Sequence, residues 1–336
     1  MLSYSSKPKR STSIVAVPWV WRIAIICLFL FLCFKIFQFL FGGPPNVVMS
    51  PIMTADDPSG FGKLQDLIIV AGHAVYTSHD FDNQDILSDK SWYLQPDQTG
   101  FSPALATHIR KGVEMTAENP LALLLFSGGE TRREAGPQSE AHSYWLVAHH
   151  SNWFGLADTG VENRTVTEEF ARDSFENLLF GIARFREVTG HYPRTITVIG
   201  FALKRRRFEE LHRAAIRYPR AAFFYEGMAD LTPTSDSVGS PVSSAEPVNE
   251  ASSLKTMAGT DWLRLAPEER EMRAAYAPFS TDPFGCRAGG LLLAKRQRRN
   301  PFRRTHGYQY SCPEIRPLFS YCEGTAYQGQ LPWTDG

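Results

Sequence analysis

The chain lacks an excess of either charge: 35 basic residues balance 35 acidic ones, for a formal net charge of zero. A molecule so balanced has no overall field to gather a polyanion, so no nucleic-acid partner is expected. Acidic residues are missing altogether before Asp56, although Lys7, Lys9, Arg10, Arg22 and Lys35 all fall in that stretch. Cysteine is also sparse. Of five, Cys27 and Cys33 lie in an apolar run, and Cys286, Cys312 and Cys322 can form at most one internal disulfide, leaving one thiol over. No zinc spacing occurs among them, and the acidic residues form no recognisable metal-ligand spacing. There is no internal repeat, no GxGxxG and no Walker sequence, so the pattern names no cofactor.

What is present begins with residues 18–41, PWVWRIAIICLFLFLCFKIFQFLF, dominated by Ile, Leu and Phe. At 1.5 Å per residue this run can cross a hydrocarbon core of roughly 30 Å. Arg22 lies near one end, Lys35 can reach the far interface on its long stem, and Trp19 and Trp21 suit the headgroup belt. A cleaved signal peptide would need a small-residue cleavage site, and none is clear. The expectation is an uncleaved anchor. With Lys7, Lys9 and Arg10 ahead of it, the positive-inside rule leaves residues 1–17 in the cytosol. The protein is then a single-pass type II membrane protein of the endoplasmic reticulum or Golgi, its main domain luminal. Asn163-Arg164-Thr165 is a glycosylation sequon that agrees.

Beyond a Pro- and Gly-rich stalk over 42–64, four short apolar runs end in polar or glycine residues: LIIVAGH (67–73), LALLLFSGGE (121–130), TITVIGF (195–201) and AAFFYEG (221–227). Amphipathic patterns lie between them. Such alternation predicts an α/β domain over 65–227, Rossmann-like, with a mostly parallel sheet and helices on both faces. Helices are expected over 102–118, from near Pro137 to His150, around Phe175, Leu178, Leu179, Ile182 and Phe185, and with Phe208, Leu211, Ala215 and Tyr218 on one side. Residues 228–260, rich in Ser, Pro and Thr, predict a disordered insertion. Residues 261–336 predict an ordered extension packed on the domain.

Ligands of such sheets lie beyond the carboxyl ends of the strands. Gly72, His73, Ser127, Gly128, Gly129 and the basic run Lys204 to Arg207 are placed there. The two adjacent glycines permit amide groups to face an anion, or they make an ordinary strand-to-helix turn. Asp173 with Glu176 fits a helix N-cap, and carboxylates near the crevice can also serve as a base. Lys204 to Arg207 oppose the dipole of the helix they open, a placement that an anion would explain; pairing with Glu209 or Glu210 is the plain alternative. The basic run from Lys295 to Arg304 suits a solvated surface or an addition to the same pocket.

Together these residues resemble the YdcF/SanA-like family, domain of unknown function 218, over about residues 65–227. The marks are Gly72 after the first strand, Ser127-Gly128-Gly129, Ser139-Glu140-Ala141, Glu169, and Ser174-x-Glu176-Asn177, similar to the family's T-x-E-N. The resemblance implies a Rossmann-like domain whose site gathers these motifs, often behind a membrane anchor. The family's histidine after the fourth strand is missing here; Arg206 matches its arginine, and Lys204 stands in electrostatically. The KRRRF run and the ending CxxG…KRxxRNPF resemble a eukaryotic, fungal branch. The expected function is a hydrolase or transferase acting on an anionic, phosphate-linked glycan or lipid. Glu140, Glu176 and His73 would be its catalytic residues. Gly72, Ser127, Gly128, Gly129, Ser139, Glu169, Ser174, Asn177, Lys204 and Arg206 would bind substrate. The alternative is a non-catalytic binder with a degenerate site.

Overall fold

A computed structural model of the chain describes residues 60–81, 84–228 and 265–334, with positions 19, 28–32 and 35 nearer the N terminus. The chain divides into two units, residues 1–50 and 51–336. In the first, the described positions are helical. Among the described residues no helix is long and apolar enough to cross a membrane; most of the expected anchor, the stalk up to position 59 and residues 229–260 of the expected insertion lie outside them, while Met228 ends a strand.

In the second unit five strands form one parallel sheet: β1 (Asp66–Ala71), β4 (Ala122–Ser127), β5 (Thr165–Glu168), β6 (Thr195–Phe201) and β7 (Phe223–Met228). β2 (Val75–Tyr76) and β3 (Trp92–Tyr93) make a separate antiparallel ribbon. The sheet order is β5-β4-β1-β6-β7. The chain therefore runs outward from β1 through β4 and β5, then returns to lay β6 and β7 on the other side. At that reversal the carboxyl ends of β1 and β6 splay their connections to opposite faces and leave a crevice.

Alternate side chains of β1 explain the two layers. Ile68 and Val70 share one apolar cluster with Ile109 of α1 (Ser102–Glu118) and Tyr144 of α2 (Glu140–His150). Leu67 and Ile69 share the other with Leu178 and Phe185 of α3 (Ser174–Thr189). Both sets are buried, as a strand covered on both faces requires. The fold is thus α/β and Rossmann-like.

Three local features differ from expectation. β5 reads TVTE, too short and too polar to stand out as an apolar run, and it is an edge strand. Helix α2 starts at Glu140 rather than near Pro137, because the Ser139 side chain accepts from the His142 amide and caps it. After β6 there is no uniform helix. A 3₁₀ turn (Ala202–Lys204) leads to a π-helical segment (Arg207–His212) and then Arg213–Ala215. Phe208, Ala215 and Tyr218 are buried as expected, with Leu211 partly so.

The C-terminal extension covers the α3 face. Phe279, Phe284, Leu292, Tyr308, Cys312 and Ile315 join its apolar cluster. Cys286 and Cys322 form the disulfide, and Cys312 is the buried thiol left over. Arg296, on helix Leu291–Arg298, reaches Asp173 at the N-cap of α3 with an Nε to Oδ2 distance of 2.7 Å. That contact pins the extension to the crevice.

Candidate functional site

A cavity of about 210 Å³ opens outside the carboxyl ends of β1 and β6. Its walls come from both halves of the chain. Gly72 and His73 follow β1, Phe201 ends β6, Ser174 and Asn177 lie in the first turn of α3, and Lys295 and Arg299 come from the extension. Seven cationic side chains line it (Arg132, Arg172, Lys204, Arg207, Arg270, Lys295, Arg299) against four carboxylates (Asp97, Glu140, Asp173, Glu271). Two of those carboxylates are already engaged: Asp173 by Arg296, and Glu271 by Arg207 at 3.1 Å. The Lys295 side chain makes no hydrogen bond or ion pair with the described residues. Desolvation, then the charges of Arg299 and Arg207, hold its ammonium well below the usual lysine range. Cations crowded against their mutual repulsion make a place where an anion is stabilised.

Six of the residues expected at the site line this cavity: Gly72, His73, Glu140, Ser174, Asn177 and Lys204. His73 Nδ1 lies 2.7 Å from the Ala71 carbonyl, so Nδ1 carries the proton and Nε2 keeps its lone pair. Burial first, then the charge of Lys204, keeps this imidazole well below its ordinary pKa and neutral. Lys204 Nζ stands over the Phe201 ring, 5.1 Å from its centre. Ser174 Oγ lies 2.8 Å from His212 Nε2.

Glu140 explains the glycines. A Cβ at Gly72 would come within 2.7 Å of both Cβ and Oε2 of Glu140, and one at Gly128, whose φ is +157°, within 2.7 Å of Oε2. The glycines therefore make room for a carboxylate, which also accepts from Thr131 Oγ1. The expected amide cradle does not form. Gly128 N donates to the Glu168 carbonyl at 3.0 Å, and Gly129 N to the Ala171 carbonyl at 2.7 Å. Those donors tie the loop to its neighbour and are not available to a ligand.

Other expected residues hold the scaffold. Ser127 Oγ is buried 2.8 Å from Glu168 Oε2 and 3.1 Å from the Asn177 amide oxygen. Ser139 donates to Glu169 at 2.8 Å. Glu176 is not a base at the cavity: it accepts from Arg172 and lies 3.3 Å from Arg296 Nε. Arg206 is likewise displaced from its expected role. It pairs with Glu210 at 3.2 Å on the exposed face and stacks over Tyr276 at 4.8 Å. Its neighbour Arg207 lines the cavity instead, because the chain enters the π-helical segment in a phase that turns position 207 inward. Arg205 pairs with Glu209, so the plain alternative describes two of the four basic residues.

The sequence placed the run Lys204 to Arg207 at the crevice and singled out Lys204 and Arg206 within it; the cavity is lined by Lys204 and Arg207, and by Lys295 from the second basic run. Sequence reasoning found no role for His212 at all. Among the described residues no three or more His, Cys, Asp or Glu stand where they could share a metal ion.

Against known proteins, no family model matches the chain, and no solved structure matches it. It is 29% identical over 317 residues to the uncharacterized protein YOR238W of Saccharomyces cerevisiae, an alignment covering 80% of this chain and 97% of the other.

Proposed function

We propose that the protein is a membrane-anchored enzyme, a hydrolase or transferase of the YdcF/SanA-like kind, acting on an anionic, phosphate-linked glycan or lipid. The observation that carries this reading is the cationic lining of the cavity, with Lys295 lacking a partner among the described residues. Lys204, Arg207 and Lys295 would hold the anion, in place of the glycine amides and Arg206. His73 would accept a hydrogen bond from a substrate hydroxyl through Nε2, and Glu140 would orient the same group. Residues 18–41 would anchor the chain with its domain in the secretory lumen. The Cys286–Cys322 disulfide agrees with an oxidising compartment.

A non-catalytic binder of the same ligand class is the second reading. It is favoured by the engagement of Glu176 with Arg172 and Arg296, away from the cavity. Both readings require an anion site. A ligand at 100 times its dissociation constant stabilises the folded state by about 2.7 kcal/mol. Inorganic phosphate and sugar phosphates are therefore expected to raise Tm in the full chain, and Lys295→Ala and Lys204→Ala to remove most of the rise. Equal shifts in the variants and the parent protein would place the anion elsewhere and end the proposal.

A further inference from the structure

Six of the π-helical residues, Arg207–His212, follow β6, and a buried histidine closes them. His212 is fully buried among the edges of Phe279, Phe208 and Phe175, at ring distances of 4.5, 5.2 and 5.7 Å. Its Nδ1 has no hydrogen-bond partner among the described residues. Its Nε2 meets Ser174 Oγ at 2.8 Å, across 38 positions of sequence. A buried nitrogen left unpaired destabilises the fold, and a site that needed only packing would be served better by an apolar ring. The position is explained by what Nε2 does.

We propose that Ser174 is a nucleophile and His212 the base that takes its proton, in phosphoryl transfer from a phosphate ester held in the cavity; this rests on the anion-binding reading above. Ser174 is the first residue of α3 and lines the cavity. A serine there meets the positive end of a helix, which favours negative charge developing at its oxygen. Hydrogen bonding from i to i+5 carries Arg207 and His212 on one short segment, so one element supplies a cation to the cavity and a base to the serine.

With the proton of the neutral imidazole on Nδ1, the Nε2 lone pair accepts from Ser174 O–H. Burial and the Arg207 charge keep His212 well below its ordinary pKa, so it is unprotonated at neutral pH. The adjacent Asp173 carboxylate favours the imidazolium that forms on transfer, while Arg207 and Arg296 oppose it. Ser174 Oγ attacks phosphorus and forms an Oγ–P bond as the bond from phosphorus to the leaving oxygen breaks. The serine proton passes to Nε2 and then to that leaving oxygen. Water, or the hydroxyl of an acceptor sugar or lipid, next attacks phosphorus and gives its proton to Nε2. The Oγ–P bond breaks and serine recovers the proton. Arg207 and Lys295 stabilise the phosphoryl oxygens throughout.

An alkyl fluorophosphonate tests this, because the same attack expels fluoride and leaves a stable phosphonyl serine. The full chain in detergent micelles is expected to gain one adduct, mapped to Ser174 by mass spectrometry. Ser174→Ala should gain none while its Tm without phosphate matches that of the parent, which shows that it folds, and His212→Gln should react about 10²–10⁴-fold more slowly. Because His212 is buried and its variant can fail to fold, the surface-lining Ser174→Ala carries the decision. A parent protein that shows the phosphate shift yet no adduct, or an adduct on another residue, overturns the nucleophile and leaves the anion site standing. Absence of both the shift and the adduct overturns both.

Discussion

His108 shows at the scale of one residue that this fold carries an unpaired polar group in its core. The side chain is fully buried in α1, neither ring nitrogen has a partner among the described residues, and its ring meets Phe201 at 4.7 Å. Burial, then the Lys204 charge, lowers its pKa to about 3. Below about 6.5 the unfolded chain binds a proton that the folded one refuses. The associated stability is therefore complete above about pH 6.5 and is lost as pH falls toward 3. His73 and His212 act in the same direction. Glu168 opposes them: burial raises its carboxyl to about 7, so its contribution is present below about 4.5 and lost as pH rises through 7. His108→Leu removes two unpaired nitrogens and is expected to add about 1–3 kcal/mol at pH 7.5. Urea unfolding should show a higher midpoint and a smaller loss between pH 7.5 and 5; a lower midpoint at both pH values would refute this account.

Among elements, the C-terminal extension decides the most. Its helix Leu291–Arg298 brings Lys295 to the cavity wall and Arg296 to Asp173. That helix lies inside the chain segment closed by Cys286 and Cys322, 36 positions apart. The chain-entropy estimate for a loop of this length is about 4 kcal/mol. Replacing both cysteines with serine is expected to lower Tm and to weaken phosphate binding together, as the extension loses its tether. A variant of unchanged phosphate affinity would mean that Arg296 and the apolar contacts hold the helix unaided. Burial of Arg296 between Asp173 and Glu176 makes it the second fastening, since a buried ion cannot lose its partners cheaply.

For the whole molecule, parallel pairing separates two ends of the sheet. The cavity lies outside the carboxyl ends, whereas Asn163 is exposed just before Thr165 begins β5, at an amino end. A glycan at Asn163 would leave the cavity open. If the domain is luminal, the protein expressed in a fungal host is expected to shift in mobility on endoglycosidase treatment, and Asn163→Gln to remove that shift. An unmodified chain at Asn163, in a host that modifies control proteins, would count against the luminal placement.

Legibility followed the range of the forces involved. The apolar runs around β1, β4, β6 and β7 were readable because burial on both faces of a sheet writes continuous hydrophobic stretches. β5 was not, since a four-residue edge strand of Thr, Val, Thr and Glu carries little of that signal. The N-cap at Asp173 was readable from its spacing to Glu176, and so was the placement of Gly72, His73, Glu140 and Lys204 near one another. The choice between Arg206 and Arg207 was not, because it depends on the phase of a π-helical segment that local propensity does not specify.

Taken alone, the order of residues determined the α/β class, the alternation of layers, the N-terminal apolar run and the gathering of polar loops at the carboxyl ends of the strands. Each follows from periodicity and composition over short stretches. Tertiary structure alone decided that glycine amides face carbonyls, that Glu140 fills the space above Gly72 and Gly128, and that Ser174 meets His212. Those outcomes depend on docking between segments far apart in the chain, where neither spacing nor propensity carries information.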